Sequence, residues 1–168
     1  FLSSYSNNIK LDQKSGKKEI KIMVEYAHPN THKDFHIGHL RNIILAESLI
    51  RLLENLGIKV IRANYQGDVG MHIAKCLYGL LKTKQEDNKD KVSLLAKAYV
   101  LGNIAFEKDK EAQKEIIEIN KSIYNKDPEI IKLWEKTRQW SLDYFEDIYK
   151  RVDSHFDRYY FESEVVDL

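Results

Sequence analysis

Four of the six histidines, His28, His32, His36 and His39, fall in one short segment that runs from Pro29 into an apolar helical pattern. His36 and His39 bracket Gly38 where that helix is expected to begin. The free amide groups and dipole of a helix N-terminus draw anions. A glycine without a side chain lets a flat or phosphorylated ligand come close to the backbone. Two imidazoles three residues apart on a first helical turn face the same way. They can donate hydrogen bonds to oxygens that gain negative charge as a phosphate is attacked. The chemistry this points to is a nucleotide phosphate site that transfers an adenylyl group. Any one of these histidines taken alone is more simply part of a solvated loop. A zinc reading, from the spacing of four between His28, His32 and His36, fails because Pro29 and Gly38 interrupt a continuous helix and Cys76 is remote. No metal site is expected.

The elements that must position this segment are legible in the periodicity. Ile20, Ile22, Val24 and Tyr26 alternate with Lys21, Met23 and Glu25 as in a strand, which Pro29 stops. After a loop of about ten residues, a length that α/β units use for sites, Leu45, Leu49, Leu52, Leu53 and Leu56 recur at helical spacing. Leu40, Ile43, Ile44 and Ile50 widen the apolar face, so this helix is expected to be covered on more than one side. Gly57 takes the place of a C-terminal cap. Lys59 to Tyr65 returns to strand character, and strand–helix–strand predicts parallel strands with a right-handed crossover. Gly67 and Gly70 turn the chain into a helix over 70–83.

The charged stretch 82–91 reads as a solvated loop, and 90–151 reads as helical throughout. Its apolar stripes are Leu94, Leu95, Ala98 and Leu101, then Ala112, Ile116, Ile119 and Ile123. The third is Ile130, Trp134, Ser141, Tyr144, Phe145, Ile148 and Val152, after an Asp127-Pro128 start. Trp134, Trp140, Tyr144 and Phe145 lie on these stripes and are read as core. Tyr159 to Phe161 resembles a further strand. The expected organisation is a polar arm over 1–18, a βαβ nucleotide-binding half over 19–87, and over 88–168 a helical insertion with the start of a return to the sheet. The fold class is α/β, the N-terminal half of a Rossmann-like parallel-sheet domain with a large helical insertion.

The totals fit one soluble domain. The 168 residues suffice for a real core. A formal net charge of +1 gives no global pull toward nucleic acid, so RNA contacts must be local. The lysines of 82–91 and 108–126 are interleaved with acids, as on a solvated face. A single cysteine excludes an internal disulfide and suits a reducing compartment, with the cytoplasm the expected location. No apolar run is long enough for a bilayer, and 1–18 lack the core of a signal peptide. The chain starts at Phe1 rather than Met and stops at Leu168 without an ending signal, as expected of a piece of something longer.

His36-Ile37-Gly38-His39 resembles the signature tetrapeptide of class I aminoacyl-tRNA synthetases. The flanks are more specific. Val24-Glu25-Tyr26-Ala27-His28-Pro29-Asn30-Thr31-His32-Lys33-Asp34-Phe35 leads in, Leu40-Arg41-Asn42 follows, and Ile61 to Gly70 supplies an Asn-Tyr-x-Gly-Asp-x-Gly turn. Together with Leu133-Trp134, Arg138, Ser141-Leu142, Tyr144 and Phe156-Asp157, they resemble the arginyl-tRNA synthetase family over residues 19–163. The resemblance implies ligation of L-arginine to tRNA(Arg) through an arginyl-adenylate, with tRNA needed even for the first step. ATP with Mg²⁺ enters as substrate, no tightly bound cofactor is implied, and the protein is expected to be a monomer.

By position, Lys33, His36, Gly38 and His39 are implied in ATP binding, with His36 and His39 as the catalytic pair. Glu25, His28, Pro29, Asn30, His39 and Asp68 are implied on the arginine side, where a carboxylate matches a guanidinium in charge and geometry. The bland readings are a polar strand residue for Glu25, a surface lysine for Lys33 and a helix cap for Asp68. His28 departs from the serine of many relatives, so no hydroxyl role carries over. No Lys-Met-Ser-Lys-Ser type loop is present. The resemblance places that loop and the anticodon-binding helices beyond Leu168, and a tRNA-contacting domain before Phe1. The alternatives are another adenylyltransferase of the same superfamily, sharing only the tetrapeptide, and a folded fragment that binds ligand without chemistry.

Overall fold

The computed structural model describes residues 20–83 and 90–166, so the polar arm and most of the charged stretch lie outside the described residues. Strand β1 (Lys21–Glu25) leads through a loop into helix α1 (Ile37–Asn55), and β2 (Lys59–Gln66) follows. Lys21 pairs with Lys59 and Glu25 with Ala63, in parallel. Helices α2 (Met71–Lys82), α3 (Lys91–Lys108), α4 (Lys110–Tyr124) and α5 (Pro128–Arg151) come next, then β3 (Arg158–Phe161) and the short α6 (Glu162–Val165). β3 lies parallel to β2, with Ala63 opposite Arg158, and the strand order is β1-β2-β3. The α/β architecture and the parallel pairing of the first two strands are as the periodicity predicts.

Caps divide the long helical stretch where apolar spacing alone does not. Asp109 ends α3 and starts α4, accepting from the amides of Glu111 and Ala112. Asp127 caps α5 by accepting from Glu129 and Ile130, with Pro128 at the first position. Both follow from the short acidic side chain that satisfies orphan amides of a first turn. Gly57 has φ +81 at the end of α1, a conformation that costs a side-chain-bearing residue more.

Two apolar clusters hold the molecule. Val69, Ile73, Leu77, Leu95, Ala98, Ile116, Ile123 and Trp134 join α2, α3, α4 and the start of α5. Tyr26, Ile43, Ile50, Val60, Phe145 and Tyr149 join the sheet, α1 and the end of α5. Helix α5 therefore belongs to both, and α2 shares its core with α3 and α4. The buried stripe of α5 is Trp134, Thr137, Ser141, Phe145 and Tyr149. Two glycines that the apolar spacing does not single out let α2 and α3 nearly touch. A Cβ on Gly79 would drive into the Ala98 backbone, and one on Gly102 into the Lys75 carbonyl.

Helix α1 departs from expectation. It buries Ile43, Glu47 and Ile50 against the sheet, while Leu45 and Leu52 are 62% and 65% exposed. It is covered on one side, because the contact with β1 and β2 uses the 43–47–50 row and leaves the 45–49–52 row turned outward. Glu47 is tolerated inside because it is fully engaged. Tyr26 donates to its Oε1 at 2.6 Å, Ser154 donates at 2.8 Å, and Arg62 lies 3.5 Å away. Arg62 also holds Glu54 at 2.7 Å and 3.0 Å. Paired and hydrogen-bonded burial is the condition under which such charges persist.

Candidate active site

The site is built at the carboxyl ends of β1 and β2, the usual position in a parallel sheet. The β1 loop is held in unusual backbone conformations: Ala27, His28 and His32 have φ of +76, +53 and +62. Three non-glycine residues in the left-handed region so close together cost energy that the surroundings must hold in place, as functional loops often do. The loop is pinned to the β2 turn, since Asn30 bridges Gly67 and the Thr31 amide donates to the Gly67 carbonyl at 2.9 Å.

His36 is the N-cap of α1. Its Nδ1 accepts from the Gly38 amide at 3.1 Å, and Nδ1 of His39 accepts from the His36 amide at 3.2 Å. This is a capping box made of two histidines. The rings stack with centroids 3.8 Å apart and planes 21° from parallel, and Phe35 backs His39 at 4.9 Å. An Nδ1 that accepts from a backbone amide carries no proton, so in each neutral ring the proton sits on Nε2. Burial, then the neighbouring His36 and His28, hold His39 down to about 4, so it is neutral near pH 7. A Cβ on Gly38 would sit 2.9 Å from the His36 ring, so glycine here keeps room for the capping ring.

On the other wall, Glu25 ends β1, exposed, with its carboxylate 3.2 Å from Nδ1 of His28. Pro29 is buried and Asn30 exposed. The Asn30 side chain fills the space a Cβ on Gly67 would need, and the Glu162 carboxylate lies 3.3 Å from that same point. Burial and the nearby Glu162, Asp68 and Glu25 carboxylates push the Tyr65 hydroxyl up. This end of the sheet is therefore acidic. Lys33 does not stand free: its ammonium lies over the Tyr99 ring of α3, 5.4 Å from the centroid.

Asp68 and His32 turn inward. Asp68 is 0% exposed. Arg138 donates to its Oδ2 at 2.7 Å, and Ser163 donates from its amide to Oδ1 at 2.8 Å and from its hydroxyl to Oδ2 at 2.7 Å. Its carboxylate thus faces protein partners, not the crevice. His32 is also fully buried and bonded through both ring nitrogens to Thr31 and Thr137. Among the described residues no group of three or more His, Cys, Asp or Glu side chains is arranged to hold a metal ion. Also among them, no helix is long and apolar enough to cross a membrane.

The structure brings together Glu25, His28, Asn30, His36, Gly38 and His39 around the β1 loop. Sequence reading missed Glu162, because nothing in the order of residues after a short strand says that its carboxylate returns to Gly67. It also missed Thr137, although a hydroxyl one turn before Ser141 on a largely apolar helical row is a usable signal. A hollow of about 650 Å³ lies elsewhere, on the outer face of α3 between Ala96, Val100, Leu101 and Ile104. It holds none of these groups, and polar chemistry, not volume, locates the site.

A stacked histidine pair on a helix start, at the carboxyl end of a parallel sheet, defines the class: an α/β domain whose polar site sits at the strand ends. The family model described as "tRNA synthetases class I (R), catalytic domain" matches residues 2–165, and the chain belongs to that family. It is 34% identical to the arginine--tRNA ligase of Bdellovibrio bacteriovorus over 157 residues, which cover 89% of this chain and 27% of that protein. It is also 34% identical to that of Treponema denticola, over 97% of this chain and 28% of that protein. Among solved structures, the Thermus thermophilus arginyl-tRNA synthetase superposes with a TM-score of 0.66 at 25% identity, covering 89% of this chain and 25% of that one. The Plasmodium falciparum enzyme gives 0.61 at 28% identity, covering 94% and 26%. The chain spans about a quarter of the length of the relatives it matches.

Proposed function

We propose that this chain supplies one wall of a site that activates L-arginine with ATP and passes the arginyl group to tRNA(Arg). The observation that carries the reading is the histidine capping box, in which both Nδ1 atoms are occupied by helix amides and both Nε2–H groups remain as donors. In the first step a carboxylate oxygen of arginine attacks the α-phosphorus of ATP and pyrophosphate leaves. The Nε2–H groups of His36 and His39 donate to phosphate oxygens as charge grows there, and rigid donors of this kind act most strongly in the transition state. In the second step a hydroxyl of the terminal ribose of tRNA attacks the arginyl carbonyl carbon and AMP leaves.

Gly38 lets the nucleotide approach the first turn of α1, and Lys33 reaches phosphate by leaving its place over Tyr99. Mg²⁺ accompanies ATP as part of the substrate. Glu25 and Glu162 provide negative charge for the cationic amino acid, Asn30 holds its α-amino or carboxylate end, and His28 and Pro29 shape the loop around it. Asp68 serves that wall from behind, by fixing Ser163 and with it the approach of Glu162. The remaining parts of the longer relatives are the natural partners of this chain.

The test is ATP–pyrophosphate exchange by the full-length protein with tRNA present. Exchange should depend on arginine. Exchange supported by lysine or glutamate but not arginine would overturn the assignment.

A further inference from the structure

His32 has the chemistry of a site residue and none of the exposure. Its surroundings define a directed chain of hydrogen bonds. The Thr137 hydroxyl has one proton and lies 2.8 Å from the Leu133 carbonyl and 3.2 Å from that of Trp134, within its own helix. Both are acceptors only, so the hydroxyl donates to the α5 backbone. Its 2.7 Å contact with Nε2 of His32 must then be donated by the ring, which puts the proton on Nε2. In the neutral ring Nδ1 is consequently an acceptor, and the Thr31 hydroxyl, 3.0 Å away, donates to it in preference to the Gly67 carbonyl at the longer 3.4 Å. The His32 amide donates to the Ser141 hydroxyl oxygen at 2.9 Å. Burial, with His72 and Arg138 nearby, holds the ring down to about 3, so it stays neutral.

The same helix face reaches the second turn of the site. Trp134 donates from Nε1 to the Asp68 carbonyl at 2.7 Å, and Arg138 donates to the Asp68 carboxylate. Residues 134, 137, 138 and 141 thus form one row on α5 that grips both the β1 loop and the β2 turn. The grip falls on His32, which has φ +62, four residues before the capping histidine His36.

We propose that His32 is a positioning residue. Held between Thr31 and Thr137 as its Nε2–H form, it sets the β1 loop against α5 and so places His36 and His39 for the transition state. The proposal rests on the adenylyl-transfer reading for its kinetic consequence but not for its structural one. Misplacing a catalytic donor by about an ångström costs up to about a hundredfold in rate, and the loss falls on kcat when ground-state binding is untouched.

The experiment uses the full-length protein with ¹⁵N-labelled histidine imidazoles and the variants Thr137→Val and Thr137→Ser. At pH 7 the wild-type His32 ring should carry its proton on Nε2. Thr137→Val, nearly isosteric, should lower kcat for exchange roughly 10- to 100-fold with KM for ATP and arginine changed by less than about threefold. It should also speed hydrogen exchange at the His32 amide at least about tenfold. Thr137→Ser, which keeps the hydroxyl, should restore both. A proton on Nδ1, a charged ring, or a Thr137→Val protein with unchanged kcat and unchanged amide exchange overturns the proposal. If the wild-type protein activates a different amino acid, the arginine assignment fails while the same kcat comparison still reads the clamp. If it activates none, the tautomer and the amide exchange decide the clamp alone.

Discussion

His36 and His39 stack at 3.8 Å, and each uses Nδ1 to satisfy an amide at the start of α1. The helix cap and the proposed catalytic donors are therefore opposite edges of the same two rings. Stability and activity can be separated by substitution. His36→Asn keeps a side chain that caps helices well but removes the Nε2 donor. Exchange activity should fall by about a hundredfold or more with little change in melting temperature. His36→Ala should lose activity to the same extent and also about 1 kcal/mol of stability, measured by denaturant unfolding. Equal activity of His36→Asn and wild type removes this ring from the chemistry.

The acid sensitivity of the fold follows from three histidines whose rings are held below their ordinary range: His32 to about 3, His39 to about 4 and His72 to about 4, each chiefly through burial. A depressed histidine pKa means that the unfolded chain binds protons the folded chain refuses. Stability from these groups is complete above about pH 6.5. It is lost as pH falls from there toward 4, where the folded rings begin to take up protons themselves. Melting temperature should drop steadily between pH 7 and pH 4, and replacing the half-buried His72 with Phe should flatten that slope. A melting temperature that is flat or rising over this range contradicts the burial of these rings.

Gly79 and Gly102 invert the usual effect of glycine-to-alanine changes in helices. In an exposed helix interior such a change stabilises by about 1 kcal/mol. Here the added Cβ meets the backbone of Ala98 or Lys75, which has no flexible end to move aside. Either substitution should destabilise by roughly 1–3 kcal/mol through overpacking, read from urea unfolding. A gain in stability would mean that α2 and α3 are not in backbone contact.

Gly67→Ala tests the acidic wall. The added methyl would occupy the space of the Asn30 side chain and crowd Glu162. KM for arginine should rise about tenfold or more, while KM for ATP, proposed to bind across the loop at His36 and Gly38, should change little. This pattern is that of lost ground-state binding. A shared rise in both constants would indicate collapse of the loop instead.

The 168-residue chain by itself should show no arginine-dependent exchange, because it spans about a quarter of the length of its relatives and the outward row of α1, including Leu45 and Leu52, is uncovered. Turnover by this chain alone, in the same assay, would show that the wall suffices.

Local sequence determined most of the elements and the histidine cap of α1. Alternation in 20–26, helical spacing in 40–56 and the punctuation of Pro29, Gly57 and Asp127-Pro128 are short-range signals, and the structure follows them. His36, Gly38 and His39 are legible because a cap and a first turn are set by neighbours three residues apart. The orientation of distant partners is not carried by such signals. Glu162 returns to Gly67 only because β3 lies beside β2 in parallel. Asp68 faces Arg138 and Ser163 because α5 crosses the β2 turn. The same crossing makes His32 a buried bond to Thr137, where spacing alone offered it as a loop residue or a metal ligand. Side-chain periodicity specifies which face of an element is apolar. Which charged groups end up inside, and against whom, depends on contacts between residues a hundred positions apart, and these exist only once the helices have packed.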